Sequence, residues 1–420
     1  MATRRSFLLS AGLAPVALSA APPAPPIAQL KSRRAEAQPI TAAERQGRIE
    51  RARQLMSENK INAICLAGGT SMNYFSGVHW GNSERLFAMI LPARGEPFFI
   101  SPAFEEERAQ EQIAAAGIMH APAHARIFTW QEDESPYALL ASALKESGLL
   151  TGQLAVDEAM PFVFADGIAH AAPAATVISA TPVTAGCRMI KSPAEIALMR
   201  LASSVTLQAY EAAWKSIREG MTNREFSGVI GSAYQALGFP GYASVQVDEY
   251  TALPHGSAQP QTIRAGSIVL IDDGCTVEGY ESDISRTFVV GKATDKMKQV
   301  FDIVHKAQSA ALAEARPGVA CEAVDAAARK VIEDAGYGPG FKHFTHRVGH
   351  GLGMDGHEWP YLVHGDRLPL AAHMTFSDEP GIYIRGQFGI RLEDDMHITE
   401  AGAELLTPQS PSLEQPFGAA

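Results

Sequence analysis

The C-terminal half of the chain carries two pairs of carboxylates, each placed around a glycine-bearing turn. Asp272 and Asp283 form the first pair and lie at the facing ends of two apolar, β-prone runs, 267–272 and 284–290. Such runs predict an antiparallel hairpin. Carboxylates on its two strands can point into one space, where they repel each other unless a cation lies between them. The pattern indicates a metal site, although aspartates that only cap turns would give the same spacing.

The second pair, Glu379 and Glu393, lies around the turn-forming Pro380–Gly381 and a strand-like run, 389–395. The histidine- and glycine-rich segment 346–357 lies between the two pairs. Carboxylates with an imidazole suit Mn²⁺, Co²⁺, Fe²⁺ or Zn²⁺ better than a thiolate zinc site does. Four carboxylates carry about the charge that two divalent ions balance. We therefore predict a two-metal site, with Mn²⁺ as the first choice and Co²⁺, Zn²⁺ or Fe²⁺ as alternatives.

Seven short motifs follow one another along this half of the chain: Pro254–Gly256, Asp272–Gly274, Ser282–Thr287, Gly349–Gly353, His357–Pro360, Glu379–Gly381 and Gly389–Asp394. Their order, with His350 between the two carboxylate pairs, resembles the M24 metallopeptidase family, in the branch of Xaa-Pro aminopeptidase and prolidase. The resemblance implies an α+β fold, with a C-terminal pita-bread catalytic domain built as a pseudo-twofold repeat. It also implies a smaller α/β, creatinase-like domain before it.

The family resemblance also implies a role for each predicted ligand. Asp272 would chelate one metal, Asp283 and Glu393 would bridge both metals, and His350 and Glu379 would complete the second. A hydroxide held between the ions would be the nucleophile. Glu379 would pass the proton to the leaving nitrogen.

Four further residues match positions of the family that support the reaction. His255 and His357 would contact the scissile carbonyl and steady the tetrahedral intermediate. Thr287 and Arg391 would orient the bridging carboxylates. The other histidines, His346 among them, are expected to be surface or packing residues. The predicted activity is hydrolysis of the Xaa-Pro bond at the N-terminus of peptides or in Xaa-Pro dipeptides, with a small peptide as substrate.

Three departures from the family pattern leave the substrate open. Tyr361 stands where prolidases often carry an arginine that holds the free carboxylate of a dipeptide. Asp273 and Asp378 replace residues that are usually apolar. Aminopeptidase and dipeptidase activities are therefore both compatible with the sequence. A non-peptidase enzyme on the same fold is the alternative, either a creatinase-like hydrolase or one similar to dimethylsulfoniopropionate lyase, acting on a small charged molecule. A metal-free binding protein is a third hypothesis.

The chain divides into three predicted parts. Residues 1–37 look like a twin-arginine signal peptide, from the Arg4–Arg5 pair and the apolar run after it, followed by a Pro/Ala-rich and basic linker. Such a signal predicts export to the periplasm. Residues 38–185 alternate helix-like and strand-like runs and resemble the creatinase/prolidase N-terminal domain. Residues 186–410 would be the catalytic domain.

The helices of the catalytic domain suggest an internal repeat. Segment 191–219 predicts one long amphipathic helix that stops at Gly220. Gly220 and Gly238 are 18 residues apart, as are Gly318 and Gly336. Two helices followed by a carboxylate hairpin thus occur twice, which predicts two similar halves with the metals between them.

The composition and charge of the chain argue against some classes of binding partner. The 420 residues carry a formal net charge of −11, which argues against nucleic acid or an anionic membrane surface as a partner. The four cysteines lie far apart without a Cys-x-x-Cys pair, so no zinc-finger pattern is present. The family resemblance suggests a homodimer.

Overall fold

The computed structural model describes residues 25–117 and 126–418. The Arg4–Arg5 pair and the apolar run of the predicted signal peptide lie outside this part of the chain. Among the described residues, none of the helices combines the length and the apolar character that a membrane-spanning segment needs.

The N-terminal domain is built on a six-stranded mixed sheet. Its strands are β1 (Ile61–Ala67), β2 (Ala88–Pro92), β3 (Phe98–Pro102), β4 (Arg126–Trp130), β5 (Gly152–Val156) and β6 (Ala175–Ser179). They lie in the order β4-β3-β2-β1-β5-β6, and β2 is antiparallel to both β1 and β3. The predicted alternation of helices with strands is confirmed.

Helices cover both faces of this sheet. A short α1 (Pro25–Ala28) precedes them, and the domain's own helices are α2 (Ala42–Glu58), α3 (Thr70–Ser76), α4 (Glu106–Ala116), α5 (Pro136–Glu146), α6 (Phe162–Ala171) and α7 (Thr181–Arg188). The two faces of the sheet bury separate apolar clusters. The domain therefore has its own core on each side of the sheet.

The catalytic domain repeats one order of elements. Its first half contains α8 (Pro193–Trp214), α9 (Asn223–Leu237), β7 (Ser244–Val247), β8 (Ile268–Asp272), β9 (Thr276–Val277), β10 (Tyr280–Glu281) and β11 (Arg286–Val289). Its second half contains α10 (Asp295–Glu314), α11 (Cys321–Ile332), β12 (Gly349–Gly351), β13 (Glu358–Leu362), β14 (Thr375–Asp378), β15 (Gly381–Ile384), β16 (Phe388–Arg391), β17 (Asp394–Ile398) and β18 (Ala403–Leu405). Each half has two helices followed by strands and its own buried apolar cluster, as the repeat predicts.

The first catalytic helix is shorter than the sequence suggests. It begins with a capping box, in which Ser192 and Glu195 bond reciprocally to each other's backbone. It ends at Trp214 rather than continuing to Glu219, so that expectation is wrong. Beyond Trp214 the N–H of Ser216 bonds to the carbonyl of Ala213, which tightens the last turn and ends the helix.

The predicted linker is wrong for residues 25–37, because this segment packs on the catalytic domain. Ile27 is 4% exposed and belongs to the apolar cluster of the first catalytic half. The Arg33 guanidinium donates to the Ser204 hydroxyl at 2.9 Å, and Arg34 donates to the carbonyl of Gly238. Pro/Ala-rich and basic composition alone does not reveal such packing, because the contacts lie about 170 residues away in sequence.

We expect a chain that begins at residue 38 to be less stable than one that begins at residue 25. Burial of the Ile27 side chain alone contributes about 1.5–3 kcal/mol, and the arginine contacts add to it. Urea unfolding of the two chains measures the difference, and Ile27→Ala in the longer chain should reproduce much of it. Equal midpoints for both chains would show that the segment contributes nothing.

Candidate active site

All five predicted ligands converge on one cavity of about 240 Å³. Asp272 is the last residue of β8, Asp283 lies between β10 and β11, and His350 is in β12. Glu379 follows β14, and Glu393 precedes β17. The first predicted hairpin therefore exists, although its turn contains an additional short hairpin of β9 and β10.

The two glutamates lie where paired strands break. β14 pairs with β17 up to Asp378 opposite Asp394, and β15 pairs with β16 from Gly381 opposite Arg391. The residues between these pairs leave one sheet before entering the next. Pro380, which has no N–H to donate, favours this break. The expectation that Glu393 lies within a strand is therefore wrong.

The side chains form three overlapping groups whose ligand atoms lie within 4.8 Å of one another. The groups are Asp272, Asp283 and Glu393; His350, Glu379 and Glu393; and Asp283, His350 and His357. His350 Nε2 is 3.4 Å from Glu379 Oε1 and 3.7 Å from Asp283 Oδ2. Shared carboxylates between neighbouring groups are the arrangement that two adjacent divalent ions require.

The electrostatics of the cavity also fit bound cations. Burial raises the pKa of Asp283 and Glu393 well above the usual range of a carboxyl group, and the charges of neighbouring carboxylates raise it further. Burial likewise raises the pKa of Glu379 to about 8, and Asp272 adds to this rise while Arg391 opposes it. Burial lowers the pKa of His350 to about 3, so its imidazole is neutral and able to ligate. Cations would relieve the repulsion among these carboxylates.

Arg391 and Ser285 hold the carboxylates in place. The Arg391 guanidinium donates to Asp272 and, at 2.8 Å, to the Ser285 hydroxyl. The Ser285 hydroxyl lies within hydrogen-bond distance of Asp272 and, at 2.7 Å, of Glu393. The Thr287 hydroxyl bonds to the backbone of Arg391, donating to its carbonyl at 2.8 Å and accepting its N–H at 3.2 Å. Its effect on the carboxylates therefore passes through Arg391.

Sequence reasoning missed the role of Ser285, although the motif contains it. Asp283, Ser285 and Thr287 alternate along one face of an extended segment, and that period of two is the available signal. It also missed Asp395, which accepts the backbone N–H of Asp283 at 3.2 Å and the Ser203 hydroxyl at 2.7 Å. No spacing in the sequence pairs Asp395 with Asp283.

The histidines surround the predicted ligands. The His357 ring stacks on His350 with 3.7 Å between centroids, and the exposed His255 lies at the edge of the cavity. His346, predicted to be a surface or packing residue, instead lines the cavity. Its Nδ1 is 3.7 Å from Glu379, and its Nε2 is 2.7 Å from the Tyr383 hydroxyl. The expectation for His346 was therefore wrong.

The chain is similar to known proteins over both of its domains. A family model for metallopeptidase family M24 matches residues 197–400, and a model for the creatinase/prolidase N-terminal domain matches residues 48–190. A probable dipeptidase PepE of Mycobacterium tuberculosis is 35% identical over 82% of this chain and 89% of its own length. The chain belongs to metallopeptidase family M24.

Several proteins similar to this chain have names that describe their substrates. An Xaa-Pro dipeptidase of Lactobacillus delbrueckii is 30% identical over 87% of this chain and 98% of that protein. The crystal structure of dipeptidase PepE from Mycobacterium ulcerans has a TM-score of 0.82 at 31% identity, over 90% of this chain and 99% of that one. A prolidase structure from Pyrococcus horikoshii has a TM-score of 0.73 at 28% identity, over 86% and 98% of the two chains. The predicted pita-bread fold is confirmed.

The cysteines play no part in the site. All four thiols are free and buried. Burial raises the pKa of Cys275, which lies beside the Asp272–Gly274 turn, to about 11. Such a thiol stays protonated and is a weak ligand and nucleophile.

Asp378 and Asp394 lie side by side behind the site and differ in their hydrogen bonding. They are cross-strand neighbours and both are fully buried. Asp394 accepts hydrogen bonds from Arg286 at 2.6 Å and Gln308 at 3.0 Å. Within the described residues, both Asp378 oxygens lack a hydrogen-bond partner. Burial, together with the charge of Asp394, raises the pKa of Asp378 well above its usual range.

We expect Asp378→Asn to stabilise the protein at pH 8 by about 1–3 kcal/mol. Because its pKa is raised, Asp378 keeps its proton to a higher pH in the folded state than in the unfolded chain, which loses that proton near pH 4. The resulting penalty on folding is absent below pH 4 and grows as pH rises towards the folded pKa. Urea unfolding of chelator-treated protein at pH 5 and pH 8 measures it, and a gain that does not increase with pH would contradict this account. As a control, Asp394→Asn should destabilise the protein at pH 8, because it leaves the buried Arg286 without its charged partner.

We expect Ser285→Ala to weaken metal binding by about 10- to 100-fold, because it removes the hydroxyl shared by Asp272, Glu393 and Arg391. Calorimetric titration of the metal-free protein with Mn²⁺ measures the affinity. Thr287→Val is the matched control, since it removes a hydroxyl that bonds to the Arg391 backbone instead of to the carboxylates. Equal losses of Mn²⁺ affinity in the two variants would show that the Ser285 hydroxyl has no special role in metal binding.

Proposed function

We propose that the protein is a dinuclear-metal-dependent peptidase that hydrolyses Xaa-Pro bonds in small peptides. The observation that carries this proposal is the set of overlapping ligand groups, in which Asp283 and Glu393 are each shared. Asp272 would join them around one ion, and His350 and Glu379 around the other. When bound, such ions supply Lewis acidity that activates water and polarises a carbonyl. Mn²⁺ is our first choice of metal.

Different residues of this chain would then transfer the proton and bind the carbonyl oxygen of the substrate. Glu379, whose Oε1 lies 3.4 Å from His350 Nε2, would take the proton of the attacking water and deliver it to the leaving nitrogen. His357 lies at the cavity beside His350, and His255 lies at its edge. These two imidazoles would hydrogen-bond the carbonyl oxygen as negative charge develops there.

The names of relatives support proline as the second residue of the substrate. Several relatives are named Xaa-Pro dipeptidase, while others are named dipeptidase without mention of proline. We also propose export to the periplasm, from the twin-arginine signal pattern in residues 1–24, and a homodimer, from the family resemblance.

Hydrolysis of three peptides by the Mn²⁺-loaded enzyme tests the proposed function. We expect cleavage before proline in Ala-Pro, in Ala-Pro-Ala or in both, and little cleavage of Ala-Ala-Ala, as followed by chromatography of the products. A protein that binds two metal ions but cleaves none of the three would not be an Xaa-Pro peptidase. Equal cleavage of Ala-Ala-Ala would remove the proline specificity.

A further inference from the structure

A side cavity of about 400 Å³ adjoins the metal cavity, and His255 lines both of them. Its other walls come from α9, from β7 and from the loop that follows His255. In the part of the chain that the structure describes, no aspartate or glutamate lines the side cavity, whereas five line the metal cavity. The side cavity is therefore polar without being a second place for metal ions.

Strand β7 separates the side chains of the core from those of the side cavity. Val245 and Val247 belong to the apolar cluster of the first catalytic half. Ser244 and Gln246 alternate with them and line the side cavity. Ser244 is opposite Asp272 in the register of β7 and β8. The side cavity thus lies beside the strand end that carries the first predicted ligand.

The Gln246 side chain is buried without completing its hydrogen bonds. It is 3% exposed, and its Nε2 donates to the Ser244 hydroxyl at 3.4 Å. Among the described residues, its Oε1 has no hydrogen-bond partner. A Cβ on Gly256, whose φ is +79°, would lie 2.8 Å from this Nε2, so glycine leaves room for the amide. A buried acceptor without a donor opposes folding, unless a ligand supplies the donor.

A carboxamide is the ligand group that complements Gln246. Two carboxamides can pair along both edges, because each offers an N–H donor and a carbonyl acceptor. A carboxylate offers only acceptors and would repel Oε1, and an apolar group would leave Oε1 unpaired. Arg224 also lines the side cavity, but it is exposed, and water weakens the attraction of an exposed cation for an anion.

His255 indicates which residue of a peptide would carry this group. Under the proposed function it hydrogen-bonds the scissile carbonyl oxygen, and that carbonyl belongs to the residue before the cleaved bond. Because His255 lines both cavities, the side chain of that residue lies beside the side cavity. Asp273 lines the metal cavity and accepts the N–H of Ser244 at 3.0 Å, so it brings a carboxylate near the free amine of the same residue.

We propose that Gln246 selects substrates whose residue before proline is glutamine or asparagine. The side-chain carboxamide of that residue enters the side cavity and pairs with the Gln246 amide. This inference rests on the proposed function and names the substrate class of the same site. It also gives a reason for a buried glutamine that the folded chain leaves incompletely bonded.

Three substrates of similar shape test the proposal. Gln-Pro, Met-Pro and Glu-Pro differ in whether the first side chain ends in an amide, an apolar group or a charge. A third residue, Ala, is added if the enzyme cleaves Ala-Pro-Ala and not Ala-Pro. We expect the Mn²⁺-loaded, full-length enzyme to cleave Gln-Pro with a kcat/KM about 10-fold above that for either of the others. Chromatography of freshly dissolved peptides measures the rates and separates any cyclised glutamine.

Substitutions of Gln246 separate a role in specificity from a role in structure. In Gln246→Met the ratio of kcat/KM for Gln-Pro to that for Met-Pro should fall to about one, while Met-Pro is still cleaved. This variant should also unfold at a urea concentration at least as high as the wild type does, because it removes an unpaired buried acceptor. Gln246→Glu should disfavour Glu-Pro more strongly than the wild type does, because two carboxylates would then face each other.

Gln259 provides the matched control. It is exposed, lies in the loop that follows His255 and does not line the side cavity. Gln259→Met should keep the wild-type ratio, and all variants should bind equal amounts of metal. Equal cleavage of Gln-Pro and Met-Pro by the wild type, or an unchanged ratio in Gln246→Met, would overturn the role of Gln246 and leave the peptidase intact. A preference for Glu-Pro would also overturn it, whereas a wild type that cleaves neither these peptides nor Ala-Pro and Ala-Pro-Ala would overturn the proposed function as well.

Discussion

Repulsion among carboxylates confined in one cavity is the constraint on which the rest of the site depends. The cavity of about 240 Å³ is lined by Asp272, Asp273, Asp283, Glu379 and Glu393. Two such charges 4 Å apart repel by about 4 kcal/mol at an effective dielectric constant of about 20. The charge of Asp272 is offset within the protein, because Arg391 and Ser285 bond to it. The pKa of Asp272 is correspondingly lowered, although burial alone would raise it, whereas the pKa values of Asp283 and Glu393 are raised. The site is thus electrostatically incomplete without cations.

The fold meets this constraint by interrupting its strands. A continuous strand would direct alternate side chains to opposite faces of a sheet, so few carboxylates could share one space. Glu379 and Glu393 instead lie at facing breaks between two pairs of strands. The neighbours of these breaks, Asp378 and Asp394, lie behind the site, where Asp394 is bonded to Arg286 and Gln308. The breaks separate the carboxylates that would face metal from those that serve the packing of the core.

Much of the site could be predicted from the sequence because its ligands lie next to turn-forming residues. Pro380–Gly381 marks the turn beside Glu379, and glycines flank His350. The features that were missed depend on contacts between distant segments. The His346 ring is held in the cavity by its hydrogen bond with the Tyr383 hydroxyl, and Ile27 is buried against helices far along the chain. Local composition carries no signal for such contacts, since surface histidines and Pro/Ala-rich linkers have the same composition.

The N-terminal domain acts on the site through a buried network of charges. Glu358, which follows His357, lies between Lys191, at 3.1 Å, and Arg188 at the end of α7. Burial alone would raise the pKa of Glu358, but these two cations lower it to about 2. Its carboxylate also accepts the N–H of Met354 at 2.8 Å, so it fixes the loop before His357. Buried ion pairs of this kind contribute little net stability, because desolvation offsets their attraction. The network instead orients the loop that carries His357. Arg188 and Lys191, which hold Glu358 in place, lie where the two domains connect.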